Sequence, residues 1–107
     1  MADVRRDGIE AVLDEAIGEV DNGPAFLTVD IDVLDPAFAP GTGTPEPGGM
    51  TTADVLWAVR TVGQRLDLVG ADVVEVVPLH LGTADITALV ADRIVREILT
   101  GVALRRA

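Results

Sequence analysis

The sequence has no cysteine and no lysine, and all eight of its basic residues are arginine. Without cysteine there is no disulfide, no thiolate nucleophile and no thiolate metal site, and nothing in the residue usage points to secretion. Without lysine there is no Schiff-base amine, and no ammonium to bind phosphate or serve as a general base. Aromatic residues are scarce at 3%, whereas hydrophobic residues make up 49%, so the core must be aliphatic, as in a buried parallel sheet. Acidic residues outnumber basic ones 18 to 8, for a formal net charge of -10. Such a chain repels nucleic acids and anionic membranes and favours cations as ligands. No uncharged apolar run reaches the roughly 18 residues of a membrane span, and "MADVRRD" leads into an amphipathic pattern and not a signal peptide. The cytoplasm is therefore the expected location. The 107 residues amount to one small domain or part of one.

Hydrophobic spacing gives the organisation. From Asp7 to Val20, Ile9, Val12, Leu13, Ala16, Ile17 and Val20 follow the i, i+3, i+4, i+7 spacing of one helical face, opposite Glu10, Asp14, Glu15 and Glu19. "DNGP" ends that helix, and "AFLTVDI" at 25–31 is a short apolar run of the kind buried on both faces of a sheet. Residues 33–50 hold four prolines and four glycines, which predicts a long functional loop. Thr51 and Asp54 form a capping pattern ahead of a helix marked by Val55, Leu56, Val59, Val62 and Leu66. "DLVGADVVEVVP" reads as a second buried strand. The stretch from Thr83 to Arg106 reads as a last helix with Ile86, Leu89, Val90, Ile94 and Ile98 inward. The predicted order is α-β-loop-α-β-α. Strands joined by a crossover helix run parallel, and the edge where such strands end is where open α/β sheets bind ligands.

Candidate chemistry collects at that edge. Asp30 and Asp32 in "LTVDIDVLDP" would point to one side of an extended strand, and two carboxylates aimed at one point need a cation between them. Oxygen ligands without thiolates suit Mg²⁺, Mn²⁺ or Ca²⁺. The structural alternative makes Asp30, Asp32 and Asp35 turn and cap residues at a strand exit. Glu75, near the end of the second strand, is either a ligand-binding acid or half of an ion pair with an arginine. His80 is the only histidine and reads as a loop or core residue. Neither G-x-G-x-x-G nor G-x-x-x-x-G-K-[ST] occurs, so nucleotide binding is set aside. Trp57 falls opposite the core stripe of its helix, on a face expected to be exposed or to form an interface.

Three stretches, "TVDIDVLDPAFAPGTGTPEPGG", "GADVVEVVP" and "ADITALVADRIV", together resemble the C-terminal part of the ureohydrolase family of arginases and agmatinases, most closely the agmatinase and guanidino-acid hydrolase branch. The resemblance implies part of a three-layer α/β/α parallel sheet, with residues 1–107 as a single C-terminal part of that domain. It also implies Mn²⁺ as cofactor, with Asp30 bridging two ions, Asp32 binding one of them, and Glu75 receiving the substrate guanidinium. The implied reaction is hydrolysis of a guanidino compound to urea and an amine by a metal-bridging hydroxide. The family's other metal ligands come from "GGDH" and "DAHxD" motifs, which this sequence does not contain. "PLHLGTADIT" around His80 also departs from the family's "PPYDHAEIT". The expectation is therefore about the last third of an enzyme, inactive alone, whose partners are copies of itself or the missing N-terminal part. Two alternatives stand beside it: a non-catalytic remnant or assembly module, and a haloacid-dehalogenase-type phosphatase. In the latter Asp30 would take a phosphoryl group and Asp32 would act as acid, but that family also requires a later Lys or Arg on the phosphate and a second acidic pair.

Overall fold

The computed structural model describes residues 1–20, 22–77 and 85–107, and it opens with two helices where the periodicity predicts one. Helix α1 spans Ala2–Asp7 and α2 spans Ile9–Glu19. Gly8 between them has φ 84°, a left-handed conformation that glycine reaches without a Cβ clash. From the predicted stripe, Ile9, Leu13 and Ile17 pack against the core.

Strand β1, Ala25–Asp30, and strand β2, Leu68–Val74, pair in parallel. The register sets Thr28 opposite Asp72 and Asp30 opposite Val74, so both strands leave the sheet at one edge. Each strand is shorter than expected. Ile31–Val33 forms a 3-10 turn, and β2 stops one residue before Glu75. Helix α3, Thr52–Arg65, starts as the capping pattern predicts, with the Asp54 N–H donating to Thr51 Oγ1 at 3.2 Å.

Helix α4, Ile86–Arg106, buries Val90, Ile94 and Ile98 as expected, but Ile86 and Leu89 are 47% and 58% exposed. Its inward face runs instead through Thr87, Val90, Ile94, Glu97, Ile98 and Gly101. An apolar pattern cannot register that face, because two of its members are polar and one is a glycine.

Helices α3 and α4 approach at backbone distance. A Cβ on Gly101 would lie 2.3 Å from the Arg60 carbonyl oxygen, and one on Gly63 would lie 2.9 Å from that of Ile98. Beside this contact the buried Glu97 takes Arg60 Nε at 2.7 Å on one oxygen and Arg93 Nη2 at 2.9 Å on the other. Arg105, in the last turn of α4, donates to the Arg65 carbonyl at 3.1 Å and caps the end of α3. The shared core takes Val29 from β1, Val55, Val59 and Val62 from α3, Leu68 from β2, and Ile94 and Ile98 from α4.

The hydrogen bond from Arg93, helped by the charge of Arg60, holds the Glu97 carboxyl below the ordinary glutamate range. A depressed folded value means the contribution is complete at neutral pH and is lost as pH falls below about 4.3 and through the folded value. Glu97→Ala should lower stability by roughly 1–3 kcal/mol, since both arginines stay partly hydrated after the carboxylate is gone. Thermal denaturation at pH 7 and pH 3 checks this, with the deficit shrinking at pH 3.

Among the described residues the sheet has two strands, and Phe26 and Val69 are 61% and 68% exposed. Among the same residues no helix is long and apolar enough to cross a membrane.

Candidate functional site

The carboxylates of "DIDVLDP" are not buried, because the chain turns out of the apolar strand at Asp30. Asp30 is exposed and is the last residue of β1, while Asp32 is half-buried within the 3-10 turn. The expectation that both side chains ride one extended strand is therefore corrected. The turn itself relates them: the Asp32 N–H donates to Asp30 Oδ1 at 3.1 Å. Thr44, from the Pro/Gly loop, donates its hydroxyl to Asp32 Oδ2 at 3.1 Å. Each aspartate thus has one oxygen engaged by the protein and one with no bond among the described residues.

Asp35 takes the structural part. One of its oxygens accepts from the Ala37 N–H and the other from the Gly48 N–H, both at 2.9 Å. These backbone donors, Ala37 first, lower its pKa below the ordinary carboxylate value. The neck of the loop is closed by the Met50 N–H to the Val33 carbonyl at 2.8 Å and the Asp35 N–H to the Met50 carbonyl at 2.9 Å. Gly49 passes so close that a Cβ would lie 2.5 Å from the Asp35 nitrogen, and Gly48 has φ +90°. The long loop is therefore a closed Ω-like unit fastened at its base. This is how Thr44 comes to reach Asp32 from 12 residues away.

Glu75 follows the last residue of β2, one position beyond the Asp30–Val74 pair. It has φ 67°, the only positive value at a non-glycine residue among those described. Holding such a residue there costs about 1–3 kcal/mol, and strain of this kind concentrates at functional sites. The side chain is exposed, and among the described residues it forms no ion pair with an arginine. The structural explanation offered for this acid is thus unmet. His80 lies outside the described residues. Trp57 is 38% exposed on α3, on the outer face that its spacing predicts.

Asp30 and Asp32 line a cleft of about 480 Å³ with Ile9, Thr28 and Met50, between β1 and α3. Glu75 is not in its wall. A larger concavity of about 580 Å³ lies away from the acids, between Phe38, Leu56 and Leu89, and it carries no carboxylate pair at a strand exit. Hard carboxylate oxygens fit a divalent cation in kind, but not in number. Among the described residues no group of three or more His, Cys, Asp or Glu side chains could hold a metal ion. Thr44 and the closed neck of the loop are the site components that composition and spacing did not single out.

A profile described as the arginase family matches residues 1–101. The guanidinopropionase of Pseudomonas aeruginosa is 55% identical over 93 residues, covering 86% of this chain and 28% of that protein. The agmatinase of Chromobacterium violaceum is 45% identical over 96 residues, covering 90% and 29%. A crystal structure of a hypothetical agmatinase from Burkholderia thailandensis superposes with a TM-score of 0.88 at 45% identity, over 98% of this chain and 32% of that one. The proclavaminate amidino hydrolase of Streptomyces clavuligerus gives 0.88 at 42% identity, over 97% and 35%. The chain thus spans less than a third of the length of these curated relatives. With the profile matched over nearly all of its residues and the α/β arrangement shared at these scores, the chain belongs to the arginase family.

Proposed function

We propose that these residues form part of a ureohydrolase site that converts a guanidino acid or an agmatine-like compound to urea and an amine. The observation that carries this reading is the placement of Asp30, Asp32 and Glu75 at the same exit edge of a parallel strand pair, with none of the three paired to an arginine among the described residues. Asp30 and Asp32 would hold divalent metal, with manganese the family-level expectation, each through the oxygen that the turn and Thr44 leave available. When bound, such a metal acts as a Lewis acid and lowers the pKa of water. Glu75 would accept a planar guanidinium by charge-assisted hydrogen bonds, fixing the carbon to be attacked relative to the aspartates. The balance is one water consumed, with the C–N bond to the substrate tail broken and the leaving nitrogen protonated.

The arginase-family match over residues 1–101 removes the support for the phosphatase alternative. Two carboxylates do not complete a metal site, and among the described residues no third acid or histidine joins them, so further ligands would come from beyond the described residues. We propose that the chain works in an assembly in the cytoplasm. The assembly would use copies of itself or a polypeptide carrying the missing ligands, with contacts through the open strand edges and the Trp57 face. The exposed Phe26 and Val69 favour this. A non-catalytic assembly role is the alternative, and one experiment separates the two. With Mn²⁺, the isolated chain should release no urea from agmatine, guanidinobutyrate or arginine. The same residues exchanged into Pseudomonas aeruginosa guanidinopropionase, in place of the matching segment, should support urea release from guanidinopropionate. A folded but inactive hybrid would favour the assembly role, and turnover by the isolated chain would overturn the ligand deficit.

A further inference from the structure

Glu75 leaves β2 in a left-handed conformation, with no side-chain partner among the described residues to hold it there. Its backbone is fixed two residues later instead. The Val77 N–H donates to the Gly41 carbonyl at 2.8 Å, and the Gly41 N–H donates to Thr87 Oγ1 at 2.7 Å. The peptide groups of Gly41 thus join the exit of β2 to the first turn of α4. A side chain at position 41 would break the junction, since its Cβ would lie 2.8 Å from both Thr87 Oγ1 and the Val77 carbonyl oxygen. Thr87 is 0% exposed, and its own N–H donates to the capping Asp85 at 3.0 Å. A buried hydroxyl on a helix face that is otherwise largely aliphatic is costly unless bonded, and Gly41 supplies that bond.

We propose that Thr87 is a positioning residue for Glu75. Its hydroxyl, acting through Gly41, anchors the segment after β2 to the rigid α3–α4 pair and so presets the carboxylate for a guanidinium. The inference rests on the reading of Glu75 as the guanidinium acceptor. The arrangement transfers placement of the acceptor from a loop to a helix, which is what a preorganised site requires.

The test uses Thr87→Val, which keeps the shape and removes the acceptor, and Thr87→Ser, which keeps the acceptor. In the full 107-residue chain, hydrogen exchange followed by mass spectrometry should show peptides covering residues 38–44 and 75–77 exchanging about fivefold faster or more in Thr87→Val, the factor that loss of one hydrogen bond corresponds to. Peptides covering 90–101 should be unchanged, and serine should restore the original rates. In the guanidinopropionase hybrid, Thr87→Val should lower kcat/KM for guanidinopropionate by about tenfold to a hundredfold, mainly through KM and at unchanged metal content. Unchanged exchange over 75–77, a rise that serine does not reverse, or an unchanged KM would overturn the proposal. If Glu75→Gln leaves the hybrid's turnover intact, the reading of Glu75 fails instead, and the exchange rates over 75–77 alone decide whether Thr87 holds that backbone.

Discussion

Asp30→Asn and Asp32→Asn should each lower urea release by the guanidinopropionase hybrid by at least about a hundredfold, because loss of even an outer partner of a metal ligand costs about tenfold to a hundredfold. Asparagine at position 30 retains a carbonyl oxygen for the Asp32 N–H, which donates at 3.1 Å, so the 3-10 turn should persist while the negative charge is removed. The same substitution at position 32 retains an acceptor for the Thr44 hydroxyl. The loss should therefore appear without a change in the thermal stability of the metal-free hybrid. It should also be accompanied by loss of bound manganese measured by elemental analysis. Thr44→Val, which leaves both carboxylates in place, should give a smaller loss than either.

Gly101→Val should be among the most damaging single changes to the fold. A Cβ there would lie 2.3 Å from the Arg60 carbonyl oxygen and 3.1 Å from the Gln64 nitrogen. Those atoms belong to the backbone of α3 and cannot rotate away, so the helices must separate. Separation weakens the Arg60–Glu97 pair at 2.7 Å and opens the core around Ile98 and Val62. Overpacking of this type costs about 3 kcal/mol or more, which for a chain of this size is roughly 10–20 °C in Tm. Gly18 is the control. It lies within α2 with nothing within 4 Å of an added Cβ, so Gly18→Ala should raise stability by about 0.5–1 kcal/mol.

The parallel strand pair was legible because two apolar runs flank one capped amphipathic helix, and only a crossover connects them. The start of α3 was legible because Thr51 and Asp54 interact within one turn. What was missed depends on contacts distant in sequence. Asp35 reaches Gly48 13 residues on, Thr44 reaches Asp32 across 12, and Thr87 reaches Gly41 across 46. None of these leaves a local pattern. The inward face of α4 was misplaced for a related reason. Thr87 and Glu97 are tolerated in the interior only because Gly41, Arg60 and Arg93 satisfy them. The break at Gly8 has no sequence signal, since one glycine inside an amphipathic stripe does not reveal its φ. The three acids were named from sequence, yet their geometry was not: Asp32 lies in a turn and Glu75 lies beyond its strand.

Glu75→Gln in the hybrid, with bound metal and steady-state kinetics measured together, separates the acid that binds substrate from the two that hold metal. Glutamine keeps the size of the side chain at φ 67° and removes the charge that a guanidinium requires. The expected result is a full complement of manganese with kcat/KM for guanidinopropionate lowered by at least about tenfold, the loss of one charge-assisted hydrogen bond or more. Undiminished turnover with manganese still bound would contradict the assignment of Glu75 as the guanidinium acceptor.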